Sequence, residues 1–132
     1  MEDLIFRAKL AEQAERHDDM IKIMKEVLAQ SQDLTVEQRN LLSVGYKNAV
    51  GLRRNAWRSF SSLEAKEEKK ENTKNVNLIK IYREKIEQEL NDICGEIIRI
   101  IDDTLVPAAS SDDSKVFFYK MQGDYYRYLA EF

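Results

Sequence analysis

The chain has 132 residues, which is enough for one domain with a sizeable core, and its apolar content excludes a disordered protein. Only four glycines and one proline interrupt it, so long helices and an all-α fold are favoured. A net charge of −3 argues against nucleic acid or an anionic membrane as a partner of the whole molecule. Any anion binding must therefore come from a local basic patch.

The first predicted helix covers residues 2–15. Apolar and small side chains mark two of its sides: Leu4, Ala8 and Ala11 on one, Leu10 and Ala14 on the other. Small residues allow a partner helix to approach closely. The N-terminal segment lacks the basic start and the continuous apolar run of a signal peptide, and no stretch reads as a transmembrane span. We therefore expect a cytoplasmic protein, with passage into the nucleus left open.

A weak break at residues 17–19 precedes the second helix, for which Asp18 is the predicted N-cap. This helix runs to about Gln30. Its predicted buried side consists of Met20, Met24, Val27 and Leu28. After a short loop, Thr35 and Gln38 have the spacing of a capping box, which predicts the start of a third helix.

The third helix carries two basic residues on a narrow polar stripe. Lys47 and Arg54 are seven residues apart, so two helical turns bring them to nearly the same azimuth. Their neighbours on that stripe are polar or small. The pattern allows an anion site or an ordinary solvated face. Beyond Leu63 the sequence EAKEEKKENTK predicts a frayed helix end followed by a surface loop.

Residues 75–105 show the clearest helical periodicity. Apolar residues recur there every three or four positions: Ile79, Tyr82, Ile86, Leu90, Ile93, Ile97, Ile101 and Leu105. Pro107 is predicted to end this helix, and Ser111 or Asp112 to cap the next one. The last segment, residues 114–132, is a fifth predicted helix. It reaches Phe132 without a stop signal, from which we expect a truncated chain.

Catalysis has little support. His17 lies in a break among carboxylates, which is more typical of a surface histidine than of a general base. Cys94, the only cysteine, lies beside the apolar face of the fourth helix and is interpreted as a buried thiol rather than a nucleophile. No phosphate loop, zinc spacing or calcium loop is present. We therefore predict a protein that is not an enzyme and needs no cofactor or metal.

The fifth helix repeats the basic pattern of the third. Lys120, Asp124, Arg127 and Tyr128 occupy one of its faces. Arginine donates two hydrogen bonds to phosphate oxygens from a planar fork, and tyrosine adds a neutral donor. If the two faces converge, they could bind a tetrahedral dianion, with Asp124 holding Arg127 by an i,i+3 contact. Spacing alone does not show that the two helices are neighbours.

Four runs of the chain resemble the 14-3-3 family: KLAEQAERHDDM, RNLLSVGYKNAVGLRRNAW, YREKIEQELNDIC and SKVFFYKMQGDYYRYLAEF. The resemblance implies an all-α, antiparallel helical bundle or superhelix, of which this single domain is the N-terminal portion, about five of nine helices. It further implies homo- or heterodimers whose groove binds phosphoserine or phosphothreonine peptides of client proteins, with no role for nucleic acid or a membrane.

By motif, the resemblance assigns phosphopeptide binding to Lys47, Arg54, Lys120, Arg127 and Tyr128, in a basic wall from about 40–58 and 115–132. It places dimerisation within about residues 1–90, where the implied interface residues are Asp3, Leu10, Ala11, Ala14, Arg16, Asp19, Leu63, Lys74, Tyr82, Lys85 and Glu89. Three intersubunit ion pairs are implied: Arg16 with Glu89, Asp19 with Lys85, and Asp3 with Lys74. Partly exposed pairs contribute only about 0–1 kcal/mol each, so apolar burial must hold the dimer.

Three departures from the family pattern are visible. Ala56 stands where many members carry a serine whose phosphorylation weakens the dimer, so that switch is expected to be absent. Gly45 replaces the usual alanine in a helix interior, at a cost of roughly 0.5–1 kcal/mol. The apolar groove wall belongs to later helices, so we expect weak peptide binding and some self-association. The alternative is a structural dimerisation fragment; a helical-pair solenoid is disfavoured because no fixed repeat is visible.

Overall fold

The computed structural model describes all 132 residues and contains only helices and turns. The five helices are α1 (Glu2–Gln13), α2 (His17–Gln30), α3 (Val36–Lys69), α4 (Thr73–Ile100, continued by a π-helical turn Ile101–Leu105 and a last α-helical turn Val106–Ala108) and α5 (Asp112–Leu129). The predicted all-α fold is confirmed. No helix is both long enough and apolar enough to cross a membrane.

Each helix packs against the one that follows it, so the five form a layered array with α4 between α3 and α5. Two cross-links show how α3 and α5 are aligned. Near the start of both helices, Arg39 Nη1 donates to Ser114 Oγ at 2.8 Å. Farther along, Arg54 Nη2 from the middle of α3 donates at 2.6 Å to Oε1 of Glu131, which follows the last residue of α5. In both cross-links the α5 residue follows the α3 residue by nearly the same number of positions. The two helices therefore run in the same direction, and α4 runs antiparallel between them.

One continuous apolar core joins the helices, and it contains most of the residues predicted to be buried. On α2 these are Met20, Met24, Val27 and Leu28, and on α4 they are Ile86, Leu90, Ile97, Ile101 and Leu105. The N-terminal half of α4 differs, because Tyr82 remains 52% exposed. The apolar row of α4 therefore continues beyond the area that the other four helices cover.

The break between α1 and α2 was predicted wrongly in position. α1 ends at Gln13, and the turn that follows contains Glu15 with a positive φ of 56°. α2 begins at His17, so its N-cap is Arg16, whose side chain makes no capping hydrogen bond. Asp18 lies instead in the first turn of α2. An acidic residue is favourable there because it faces the positive end of the helix dipole.

The charged segment after Leu63 was also predicted wrongly. α3 continues to Lys69, and only residues 70–72 form a turn before Asn72 caps α4 by accepting from the Asn75 amide. Glutamate, lysine and alanine are strong helix formers. Cross-helix pairing adds to this, since Arg83 Nε on α4 donates to Glu64 Oε2 at 2.8 Å. The charged segment after Leu63 therefore forms the last turns of a long helix.

The predicted caps of α3 and α5 are confirmed, but the end of α4 is more complex than predicted. Thr35 and Gln38 form a complete capping box, and Ser111 caps α5. α4 widens into a π-helical turn before it ends just past Pro107. The buried Gln122 of α5 donates to the Ile98 carbonyl at 3.3 Å and to Asp102 Oδ1 at 2.7 Å. This side chain fixes α5 to α4 at the wide turn.

Arg53 connects three helices beneath the surface of α3. Its Nε donates to Glu89 Oε1 of α4 at 3.0 Å, and its Nη2 donates to Asp18 Oδ2 of α2 at 3.1 Å. Nη1 also donates to the Ala49 carbonyl of its own helix at 3.1 Å. Because only 19% of the Arg53 side chain is exposed, its contact with Glu89 is better shielded than an ordinary surface ion pair, whereas the Asp18 side chain is 63% exposed.

We predict that Gly45→Ala stabilises the protein. The backbone at Gly45 has no positive φ, and an added Cβ would lie 3.4 Å from the flexible side chain of Met20, an ordinary contact. The gain in helix propensity should raise the free energy of unfolding by about 0.5–1 kcal/mol and Tm by about 2–4 °C. Thermal denaturation followed by circular dichroism measures this.

The control is Gly95→Ala, where an added Cβ meets nothing within 4 Å. Both variants should gain stability. A Tm for Gly45→Ala below that of the unmodified protein would show that α2 packs too tightly against α3 to admit a methyl group.

Candidate functional site

The five residues predicted to bind phosphate line one continuous surface between α3 and α5. Two adjoining hollows, each of about 280 Å³, share Lys47 and Tyr128. Lys120 lines the first hollow and Arg54 the second. Arg127 lies beside these hollows, because it is the residue directly before Tyr128 on α5. The structure thus brings together side chains that are up to 81 positions apart in the sequence.

The ring of Tyr128 lies close to both arginines of the site. The guanidinium carbon of Arg54 is 4.1 Å from the ring centroid, and that of Arg127 is 5.9 Å away. The two guanidinium carbons can therefore be no farther apart than the sum of these distances. Tyr128 is itself fixed by an edge-to-face contact with the buried Tyr125, at 5.5 Å between centroids and 89° between planes. The structure thus brings the two basic faces together, and phosphate binding by them remains a prediction.

Arg127 is oriented by the neighbour that the sequence indicated. Its Nη2 donates to Asp124 Oδ1 at 2.7 Å, which is the predicted i,i+3 contact. Two-thirds of the Arg127 side chain is exposed, so the pair itself adds little stability. Its effect is geometric, because one nitrogen of the guanidinium is occupied while the others stay available to a ligand.

Arg54 has a partner that was not predicted. Its Nε donates to Glu131 Oε2 at 2.9 Å and its Nη2 to Glu131 Oε1 at 2.6 Å, in a two-pronged contact. Hydrogen bonding to Arg54 lowers the pKa of Glu131, and the same contact raises the pKa of Arg54. The sequence contained a signal that Glu131 faces the site. Glu131 follows Lys120 by eleven residues, which is close to three full helical turns, so both lie on the same helical stripe.

The two lysines of the site have no acidic partner: neither Lys47 nor Lys120 forms an ion pair, and both are exposed. The site therefore combines two unpaired ammonium groups, two guanidinium groups with free N–H donors, and the Tyr128 hydroxyl. Cationic and neutral donors that surround a hollow of this kind suit an anion with several oxygens.

The residues predicted for a dimer interface lie outside the two hollows, on α1, α3, α4 and around the first turn of α2. Among the apolar ones, Leu10 is 49% exposed, Leu63 45% and Tyr82 52%. Ala14 is also exposed, whereas Ala11 is already buried within the protomer, against the core. The ring of Tyr82 packs on Phe60 of α3 at 4.6 Å between centroids. Leu10, Leu63 and Tyr82 are thus available to a partner, whereas Ala11 is not.

The charged residues predicted for that interface are partly engaged within the protomer. Arg16 pairs with Asp19 on the same helix, and Glu89 accepts from Arg53. Asp3, Lys74 and Lys85 are exposed, and the Lys85 ammonium lies 5.9 Å from the Tyr82 ring centroid. Intersubunit pairs of Arg16 with Glu89 and of Asp19 with Lys85 would therefore compete with existing contacts. They remain predictions.

Neither residue considered for catalysis lies in a reactive arrangement. Cys94 is buried as predicted, and burial raises the pKa of its thiol to about 11. His17 is half-buried at the first turn of α2, next to Leu52 of α3, and not the surface histidine that was predicted. No group of three or more metal-ligating side chains is clustered anywhere in the chain.

The family model described as "14-3-3 protein" matches residues 7–132, almost the whole chain. The chain belongs to the 14-3-3 family. It is 60% identical over 131 residues to the checkpoint signal transducer rad24 of Schizosaccharomyces pombe, and 58% identical to the 14-3-3-like proteins GF14 iota of Arabidopsis thaliana and C of Glycine max. These alignments cover 99% of this chain but only 48%, 49% and 51% of the respective relatives. The 14-3-3 chain thus spans about half the length of the curated relatives it matches.

The departure from the family pattern that the resemblance implies at Ala56 lies near the predicted interface. Ala56 is half-buried in a hollow of about 440 Å³ that Arg16, Arg53 and Glu89 also line. A methyl side chain cannot be phosphorylated. The charged groups of this hollow therefore stay free of a negative charge that a serine at this position could acquire.

We predict that Cys94 is unreactive in the folded protein. With a thiol pKa of about 11, roughly one thiol in a thousand is ionised at pH 8, and burial further blocks access to it. Labelling with a chromogenic disulfide reagent should be slow in buffer and should become fast once denaturant unfolds the chain. Rapid labelling of the folded chain would contradict the buried position of Cys94.

Proposed function

We propose that this chain provides the basic wall of a phosphoserine- or phosphothreonine-binding site in an adaptor protein. The observation that carries the proposal is that Arg54 and Arg127 both approach the ring of Tyr128, which lines the same two hollows as Lys47. A phosphorylated side chain carries about −1.5 to −2 charges and three strong acceptor oxygens. The positive charge of this wall complements the charge of such a ligand, and its several donors can bind the three acceptor oxygens.

Membership of the 14-3-3 family supports the proposal, as does the similarity to rad24, a checkpoint signal transducer. We infer an adaptor that acts by binding phosphorylated client proteins, without catalysis and without a metal or cofactor, in the cytoplasm. The wall extends over about residues 40–58 and 115–132, and Lys120 lines the groove beside the phosphate.

We further propose that the adaptor is a dimer formed through about residues 1–90. Exposure of Leu10, Leu63 and Tyr82 favours this assignment, because burial against a partner would remove these apolar side chains from water. The same exposure favours the alternative function, a dimerisation or assembly module that does not bind peptides. Phosphopeptide binding distinguishes the two: a dimer indifferent to phosphate supports the assembly module.

We predict that Arg54→Ala and Arg127→Ala each weaken binding of a phosphoserine peptide by about tenfold or more, since charge-assisted hydrogen bonds contribute about 1.5–3 kcal/mol each. Phosphorus NMR titration of the peptide measures even weak dissociation constants. Binding should also weaken as ionic strength rises, because exposed charges are screened. The unphosphorylated peptide should not bind.

Arg99→Ala on α4 is the matched control. It removes the same charge from an exposed position that lines neither hollow, and it should leave affinity almost unchanged. Equal affinities for the unmodified protein, Arg54→Ala and Arg127→Ala would remove these two residues from the site.

We predict that Leu10→Glu shifts the chain from dimer to monomer in sedimentation experiments. The substitution places a charge on the exposed apolar surface of α1, where burial against a partner would then be costly. Val116→Glu on α5 is the control, since Val116 is 65% exposed but lies outside residues 1–90. Loss of association in the control alone would mean that α5 forms the interface instead.

A further inference from the structure

We propose that Glu131 is a positioning residue for this phosphate-binding wall: it holds one edge of the Arg54 guanidinium so that the opposite edge faces the ligand. The inference rests on the proposed function and adds to it a residue outside the predicted set. Glu131 need not touch phosphate in order to act. Its effect on binding would pass through Arg54.

The contacts of Arg54 leave its guanidinium little freedom. Glu131 accepts from Nε at 2.9 Å and from Nη2 at 2.6 Å, which fixes the rotation of the group within its plane. The ring of Tyr128, 4.1 Å from the guanidinium carbon, fixes the plane itself. Nη1 accordingly remains free of protein partners, with two N–H donors for a ligand. Arg54 is thus ordered before any anion arrives, which lowers the entropy lost on binding.

Glu131 is itself held in place although it follows the last residue of α5. Its amide donates to the Tyr128 carbonyl at 3.1 Å, which continues the helical turn. The next residue, Phe132, packs against Trp57 of α3 at 6.3 Å between ring centroids. Arg58 of α3 provides a second cation, 3.8 Å from Glu131 Oε2. The carboxylate is therefore fixed to the same helix that carries Arg54.

The positioning role and simple electrostatics predict opposite changes in peptide affinity when Glu131 loses its charge. If Glu131 only competed with phosphate for Arg54, Glu131→Gln would remove a negative charge and tighten binding. If Glu131 positions Arg54, the same substitution should weaken binding although the site gains positive charge. A glutamine amide cannot replace the two-pronged contact, because its NH₂ group would face an N–H donor of Arg54.

The experiment compares the whole chain with Glu131→Gln and Glu131→Asp in phosphorus NMR titrations of one phosphoserine peptide. We expect Glu131→Gln to raise the dissociation constant about three- to tenfold. Glu131→Asp, which keeps the charge on a shorter side chain, should fall between this variant and the unmodified protein. Glu64→Gln is the matched control, because Glu64 accepts from Arg83 in a similar contact away from both hollows. It should leave affinity unchanged.

A second measurement needs no peptide. The Arg54 Nε–H signal in nitrogen-15 NMR, identified by its absence from Arg54→Lys, should exchange slowly with solvent in the unmodified chain and rapidly in Glu131→Gln. Unchanged or tighter peptide binding by Glu131→Gln, or unchanged exchange of this signal, would overturn the positioning role. Failure of the unmodified chain to bind the peptide, with slow exchange retained, would overturn the proposed function instead.

Discussion

Packing of α4 between α3 and α5 determines the position of every side chain in the candidate site. The apolar row of α4 is fully buried at Leu90, Ile97, Ile101 and Leu105, and it keeps the two outer helices parallel and in fixed alignment. Direct links between α3 and α5 are made by long side chains. A polar surface is therefore left between the two helices, supported from below by an apolar layer.

Placing several cations on that surface has an electrostatic cost, since two like charges 4 Å apart at a protein surface repel by about 4 kcal/mol. Two features offset it. The centroid of the electron-rich Tyr128 ring lies 4.1 Å from the guanidinium carbon of Arg54 and 5.9 Å from that of Arg127. Asp124 and Glu131 each neutralise part of one guanidinium without covering all of its donors. The two arginines of the wall are thereby ordered, while the charges of its two lysines stay without an acidic partner.

The features that could be predicted from the sequence are local. Caps at Thr35 and Ser111 depend on residues three positions apart, and each basic stripe follows from helical spacing within one helix. That the two stripes meet was implied only by the family resemblance. Contacts between distant residues were missed. The Arg54–Glu131 pair joins residues 77 positions apart, and periodicity does not show which carboxylate faces which arginine. The extension of α3 to Lys69 was missed for a different reason, since a charged run has the composition of a solvated loop and of an exposed helical face alike.

Arg53 and Arg54 are adjacent and chemically identical, yet α3 turns by about 100° between them. One therefore points toward α2 and α4, where it secures the scaffold, and the other points toward α5 and the open hollow. Substitution data from this dipeptide must accordingly be assigned residue by residue. Lost affinity after a change at Arg53 would report a loosened framework, whereas the same loss at Arg54 would report a missing contact with the ligand.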